Sequence, residues 1–379
     1  MKWKTYRLGN ILQFNPAERL AKGTFAKKVP MDLLQPRTRA ISGFEMVSYT
    51  GGNKFRNGDT LMARITPCLE NGKTAYVSIL DEDEVGFGST EYIVFRNIEG
   101  VTDSKYIYYF VTNPWFRNIA IKSMVGSSGR QRVQLAVLEN LVVNLPPLAE
   151  QKRIADILGA LDDKIELNRR INDNLEEQAK ALFNHYFIQN TENLGEWQDG
   201  VLTDIAQYLN GLAMQKYPAM PNEAGLPVLK IKELGQGQCD TNSDRCSSLI
   251  KPEYIISDGT IIFSWSGTLL VDIWCGGKCG LNQHLFKVSS AKYPQWFVFY
   301  WTKHHLNKFI RIAKDKAVTM GHIKRCDLEI SKVKIPSKQA LVNLDKLFSP
   351  IFNRMVTCRI ENRKLSSLRD TLLPKLMSG

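Results

Sequence analysis

One stretch of this chain occurs twice. Residues 145–187 open LPPLAEQKRIADILGALDDKIELNRRINDNLEEQ, and residues 335–377 open IPSKQALVNLDKLFSPIFNRMVTCRIENRKLSSL, which sets Pro146 and Pro336 190 residues apart. A repeat this long cannot be one turn of a solenoid. It implies two domains, each followed by one long helix.

The two copies keep the same phase. Core positions of a heptad fall on Ile154, Leu158, Leu161, Ile165, Asn168, Asn172, Leu175, Ala179, Leu182 and Tyr186 in the first copy. At the same offset the second copy has Leu344, Phe348, Ile351, Met355, Cys358, Asn362, Leu365, Arg369, Leu372 and Leu376. Spacings of four and three alternate without a break, and the positions are mostly apolar, as in a coiled-coil seam. Asn172 and its counterpart Asn362 are polar seam positions of the kind that set register and partner at a cost in stability. An ordinary amphipathic surface helix would explain the apolar stripe, but neither its length nor its duplication.

Weaker repetition extends upstream. Leu8-Gly9-Asn10-Ile11 corresponds to Leu202-Thr203-Asp204-Ile205, and residues 57–64 to 257–264, each a polar turn running into a short strand. STEYIVFR (89–96) matches NQHLFKV (282–288) as a strand, and an aromatic helix follows in each half, over 105–113 and 294–303. Both halves then reach a small basic loop, Gly126–Gln131 and Val318–Lys324, from which a strand leads to Pro146 or Pro336. Each globular half is therefore α+β, of about 145 residues, ending in a helix of about 35–40 residues.

Composition bounds the function. The 379 residues suffice for two or three full cores, and 44% hydrophobic with 23% charged is ordinary for a globular chain. Seven scattered cysteines imply a reducing compartment rather than a disulfide framework. MKWKTYRLGN lacks an apolar signal region, and no run of about 18 apolar residues occurs, so the expected setting is the cytoplasm, with no membrane contact. Fifty Lys and Arg against 38 Asp and Glu give a net charge of +12, which favours a polyanionic partner such as nucleic acid.

Leu145-Pro146-Pro147-Leu148-Ala149-Glu150-Gln151-Lys152-Arg153-Ile154, running into ILGALDDKIELN, strongly resembles the central conserved region of type I restriction–modification specificity subunits. The tail Leu372-Leu373-Pro374-Lys375-Leu376-Met377-Ser378-Gly379 is similar to the end of that family's second conserved region. The second copy is looser: Ile335-Pro336-Ser337-Lys338-Gln339 lacks the second proline and the Glu-Gln pair, which changes how its helix starts. The family often continues a little past Ser-Gly, and the resemblance leaves open a cut at Gly379.

The resemblance covers the whole chain and implies an α+β fold: two pseudo-symmetric target-recognition domains joined by two long helices forming an antiparallel coiled coil. The expected limits are 1–146 for the first recognition domain, 147–190 for the central spacer helix, 191–335 for the second domain and 336–379 for the C-terminal spacer helix. It also implies a non-catalytic subunit that binds double-stranded DNA, each domain reading half of a bipartite, gapped target. Two methyltransferase subunits would dock on the helices, with Ile154, Leu158, Leu161, Ile165, Asn172, Leu344, Phe348, Ile351, Met355 and Asn362 as seam and docking residues. Translocase/nuclease subunits would join the larger complex. This chain would carry no cofactor, S-adenosylmethionine, ATP and Mg belonging to the partners. A helix from Ile154 to Tyr186 is roughly 50 Å long, and an antiparallel pair would hold the domains at opposite ends. Readers of half-sites about one turn apart need roughly 34–36 Å.

Base reading needs directional donors and acceptors, and phosphate contact needs positive charge. In the first domain Ser127, Ser128, Arg130 and Gln131 on the glycine-flanked loop meet both needs, with Arg64, Thr66, Asn71 and Lys73 as second choices. Thr319, His322 and Lys324 occupy the matching loop of the second domain, and Ser264, Ser266 and Thr268 correspond to the Arg64 loop.

Rival readings fare worse. Asn113-Pro114-Trp115-Phe116 resembles an amino-methyltransferase loop but lacks its second proline, and no glycine-rich S-adenosylmethionine loop accompanies it, so a capping turn is expected there. Cys239, Cys246, Cys275, Cys279 and His284 suggest zinc, yet lack the tight pairing of structural sites, so no metal is expected. No Gly-x-x-x-x-Gly-Lys-Ser/Thr loop for ATP is present. The alternative of another class is a coiled-coil interaction hub that binds proteins but no specific DNA.

Overall fold

A computed structural model describes residues 3–189, 197–315 and 321–378. Its contacts divide the chain into two compact units, one holding the described residues up to Glu166 together with those from Leu365, the other Leu167–Lys364. Each unit contains one globular half and a stretch of both long helices.

In the first unit, strand Lys4–Arg7 pairs antiparallel with Val142–Leu145, Lys4 opposite Leu145, so the start of the half lies beside the strand leading into the helix. An antiparallel sheet runs in the order Leu12–Phe14, Tyr92–Asn97, Thr60–Ala63, Thr74–Tyr76. A second sheet runs Glu45–Ser48, Phe25–Val29, Gly86–Gly88, Lys54–Phe55, with one parallel pair, Phe25–Val29 with Gly86–Gly88.

Alternation along the strands explains how these layers stack, because successive side chains point to opposite faces. Met62, Ile93 and Phe95 enter a core shared with the aromatic helix Ser104–Thr112 and the start of the long helix. Leu61, Tyr92 and Val94 face the other way, onto Val29 and Phe55 of the second sheet. Gly88 permits that approach, since a Cβ there would lie 2.5 Å from the Tyr92 ring.

The second unit repeats this order strand for strand. Gln198–Val201 pairs with Lys332–Ile335. One sheet runs Gln207–Asn210, Leu285–Ser289, Thr260–Ser264, Leu270–Trp274, and the other Arg245–Cys246, Leu226–Leu229, Cys279–Leu281, Ile255–Ile256. Ile261, Phe263 and Val288 face the helix layer, while Ile262, Trp274 and Leu285 face the second sheet. The aromatic helix differs. In the first unit Asn113 ends it and caps Pro114–Lys122, its Oδ1 accepting from Trp115 N at 2.9 Å, whereas the second unit has Gln295–Asp315 unbroken.

The first long helix spans Leu148–Phe183 with a π turn at Asn184–Gln189, and the second spans Lys338–Leu376. They run antiparallel within each unit. In the first, Asp162 meets Arg369 at 2.7 Å, and Ile154 and Leu158 share a core with Leu372, Leu373 and Leu376. In the second, Asn168 meets Asn362, and Phe187 lies near Phe348. Pro350 sits inside the second helix, where a proline removes a backbone donor. Its neighbours Phe348 and Phe352 are buried in the unit's core, and Trp296 stacks on Phe348 at 4.3 Å.

The two helix starts differ as the two motifs do. Gln151 is fully buried: its Oε1 accepts from Asp103 N at 3.0 Å, and its Nε2 donates to Val101 O and Pro146 O. The equivalent Leu341 packs on the second core instead, and Ser337 Oγ accepts from Ala340 N at 3.3 Å. One expectation needs correction. The stretch from each basic loop to its proline is not strand alone, because Leu135–Glu139 and Arg325–Glu329 form a helical turn before the strand. Five residues are too few to display a helical period.

No helix among the described residues is long and apolar enough to cross a membrane.

Candidate nucleic-acid interface

In each unit, two loops far apart in sequence are joined by backbone hydrogen bonds. In the first, the loop leaving Thr60–Ala63 meets the basic loop: Val133 N donates to Arg64 O at 2.9 Å, Thr66 N to Gln131 O at 3.1 Å, and Gln131 N to Thr66 Oγ1 at 3.0 Å. In the second, Ile323 N donates to Trp265 O and Gly267 N to Gly321 O, both at 3.0 Å. A third bond frames each from the neighbouring strand, Arg64 N to Glu91 O at 2.9 Å and Trp265 N to His284 O at 3.3 Å. The two loops picked from separate segments of sequence thus lie side by side in each unit.

The first surface carries a tight hairpin. Val125 and Arg132 exchange backbone bonds of 3.0 and 2.9 Å, and Arg130 N reaches Ser127 O at 3.0 Å. Gly126 has φ +133°, and a Cβ there would lie 2.9 Å from Arg130 O, so a side chain does not fit. Ser127, Ser128 and Arg130 stand exposed at the tip, with Gln131 half-buried at the base. Asn71 is exposed, and Arg64 and Thr66 are half-buried. Lys73 is half-buried, and its Nζ donates to Met31 O at 2.7 Å with one of the ammonium's three donors.

The second surface is built around Trp265, whose Nε1 donates to Asn210 Oδ1 at 3.0 Å and whose ring lies 5.9 Å from His284 and 6.4 Å from His322. Ser264 and Ser266 are buried. The Ser264 hydroxyl donates to Thr268 O at 2.8 Å, and Ser266 Oγ meets His284 Nδ1 at 2.9 Å, so both hold the turn rather than face outward. Thr268, His322 and Lys324 are exposed; the Lys324 amide donates to Asp327 Oδ2 at 2.8 Å, opening the short helix. Thr319 lies outside the described residues.

Four residues at these surfaces were not picked from the sequence: Glu91, Arg132, Asn210 and His284. Glu91 and Arg132 form a two-pronged ion pair, 2.7–3.0 Å, on the first surface, where the second surface has His284 and His322. Only the loop pairing brings these positions together, and nothing local in the sequence marks it.

The helix seam is closed. Ile154, Leu158, Ile165, Leu344, Phe348 and Met355 are buried within the chain, and Leu161, Asn172, Ile351 and Asn362 are half-buried. The buried ones therefore lie in the seam and present no exposed surface to a partner. Exposed large apolar side chains on the helices are Ile157, Leu167, Ile188, Val342, Leu347 and Leu368. Ile157 and Leu347 are equivalent positions in the two copies.

Asn113 caps a helix. Among the described residues no group of three or more His, Cys, Asp or Glu converges to hold a metal.

Comparison with known proteins agrees with this architecture. Residues 1–177 match the model of the type I restriction modification DNA specificity domain. The chain is 29% identical to the type I restriction enzyme HindI specificity subunit of Haemophilus influenzae, over an alignment covering all of this chain and 99% of that protein. It is 26% identical to the MjaIX specificity subunit of Methanocaldococcus jannaschii over 75% of this chain and 71% of that one. Among solved structures, the type I restriction-modification S subunit from M. genitalium superposes with a TM-score of 0.56 at 16% identity, covering all of this chain and 96% of that one, a likeness of fold.

Proposed function

Because the chain belongs to the type I restriction–modification DNA specificity subunits, we propose that each of its zipped loop pairs reads one half of a bipartite, gapped DNA target. As a specificity subunit it selects sequence. Methyl transfer and cleavage would be the work of its partners, two methyltransferase subunits and the translocase/nuclease subunits, which would carry S-adenosylmethionine, ATP and Mg. The interaction-hub alternative has no support.

The observation that carries this reading is the identity of frame and difference of surface. The same backbone bonds hold both loop pairs, yet one presents Ser127, Ser128, Arg130 and a Glu91–Arg132 pair, the other Trp265, His284, His322 and Lys324. A conserved frame with unlike side chains suits two readers of different base sequences, since base edges are read by directional side-chain groups. The long helices, 36 and 39 residues, would act as the ruler that sets the unread spacer, with Ile157 and Leu347 as the paired docking positions for two like partners.

Arg130→Ala and Lys324→Ala in the assembled complex test the assignment. Each should lower affinity for its own half-site or reduce the salt dependence of binding, while leaving selectivity at the other half intact. If neither changes binding, the loops are not the readers.

A further inference from the structure

The first unit contains a cationic cavity that the reading above does not use. It encloses about 250 Å³ between the turn at Gly72, the aromatic helix and the end of the second long helix, with Arg37, Arg117, Arg369, Asp370 and Thr74 in its wall. Arg369 is neutralised by Asp162 and Asp370 at 2.7 and 2.8 Å. Arg37 and Arg117 are not: among the described residues neither has a carboxylate within ion-pair distance. They flank Gly72, where a Cβ would lie 3.2 Å from Arg37 Cγ and 3.6 Å from Arg117 Nη1.

Two further observations point to an anion as the ligand. Arg117 Nε is buried with no hydrogen-bond partner, its other end donating from Nη2 to Glu70 O at 3.0 Å, and the buried Thr74 hydroxyl also lacks a partner. Burial and the like charge of Arg37 push the Arg117 guanidinium below its usual pKa. Two guanidinium groups held near each other without a counter-charge are destabilising by themselves. Their planar forks match the oxygens of a tetrahedral oxyanion.

We propose that the Arg37–Arg117 cavity is a phosphate-binding site, filled by a DNA backbone phosphodiester or by a free phosphate-bearing ligand. Glu70 and Gly72 belong to the turn that follows the half-site loop at Thr66. A phosphate seated there would fix that turn, and with it the loop zipped to Gln131, before any base is read. The DNA source rests on the proposed function; the site itself does not.

The test therefore has two arms, using the wild-type chain, Arg37→Ala, whose residue is exposed, and Arg117→Gln. In the first arm, thermal unfolding is followed without DNA in inorganic phosphate, in chloride and in succinate at equal ionic strength. Phosphate should raise the wild-type midpoint above both other anions, and either substitution should abolish the difference. A wild-type response to phosphate no greater than to chloride, an equal response to succinate, or a response that survives both substitutions overturns the site. The second arm measures duplex binding by the assembled complex against salt. A slope reduced by about one in Arg37→Ala identifies a backbone phosphate. An unchanged slope with a lost phosphate response identifies a free ligand. Loss of sequence-specific binding in the wild type would refute the proposed function alone, because the first arm contains no DNA.

Discussion

Asn168 donates its side-chain amide to Asn362 Oδ1 at 3.0 Å and to Glu361 Oε2 at 2.8 Å, across the buried seam of the two long helices. Sequence position equates Asn172 with Asn362, but equivalent positions in antiparallel copies need not touch. Asn172 Oδ1 is instead buried without a partner. A polar pair at one level of an apolar seam fixes which turn of one helix faces which turn of the other.

Asn168→Leu should therefore cost about 1–3 kcal/mol, because it removes both of these hydrogen bonds across the seam. Adding Asn362→Leu should recover part of that loss, as replacing both partners of a buried polar pair often does. Urea midpoints of the single and double variants measure the coupling. Additive losses would show that the two amides do not depend on each other.

His305 makes the second unit sensitive to acid. Burial, partly offset by the bond from its Nε2 to Lys332 O at 2.8 Å, lowers its pKa from 6.5 to about 4. The folded state then binds fewer protons than the unfolded state between those values, so the contribution is complete above pH 6.5 and is lost as pH falls toward 4. Its size is up to about 3 kcal/mol. Unfolding midpoints between pH 7.5 and 4 should fall less in His305→Gln than in wild type. Parallel profiles would remove His305 as the cause.

Ile157 and Leu347 are exposed at 37% and 45%, and they recur at matching positions of the two copies. Ile157→Asp and Leu347→Asp should each weaken one of the two proposed methyltransferase contacts, and the double variant both, without lowering the melting temperature of the chain alone. Native mass spectrometry of the mixture would count bound partners. Full occupancy in the double variant would place the docking surface elsewhere.

The helices were the most legible part of the sequence, because an apolar period of seven sustained over five heptads leaves few alternatives. Their surroundings were less so. A seam implies burial but not what covers it, and Ile154 and Leu344 are buried partly in the domain cores rather than only against the opposite helix. The central strand Thr60–Ala63 and its partner Thr260–Ser264 were visible from their turns, while the short strands of the second sheets have two to five residues and little pattern. At the candidate interface the loops were legible as polar and glycine-rich. Side-chain direction was not: Ser264 and Ser266 are buried in the turn, Lys73 bonds back to Met31, and Glu91 and His284 meet the loops only because their backbone carbonyls bond to Arg64 and Trp265.

The central claim is that two like frames read two different half-sites at a distance measured by the helices. Single-molecule sequencing of DNA modified by the assembled complex tests it directly, with wild type compared against a variant carrying seven extra residues in each long helix. The account predicts an asymmetric motif in two parts with a fixed unread gap, and a changed gap with both half-sites retained in the variant. A contiguous motif, or a gap unchanged by the insertion, would contradict it.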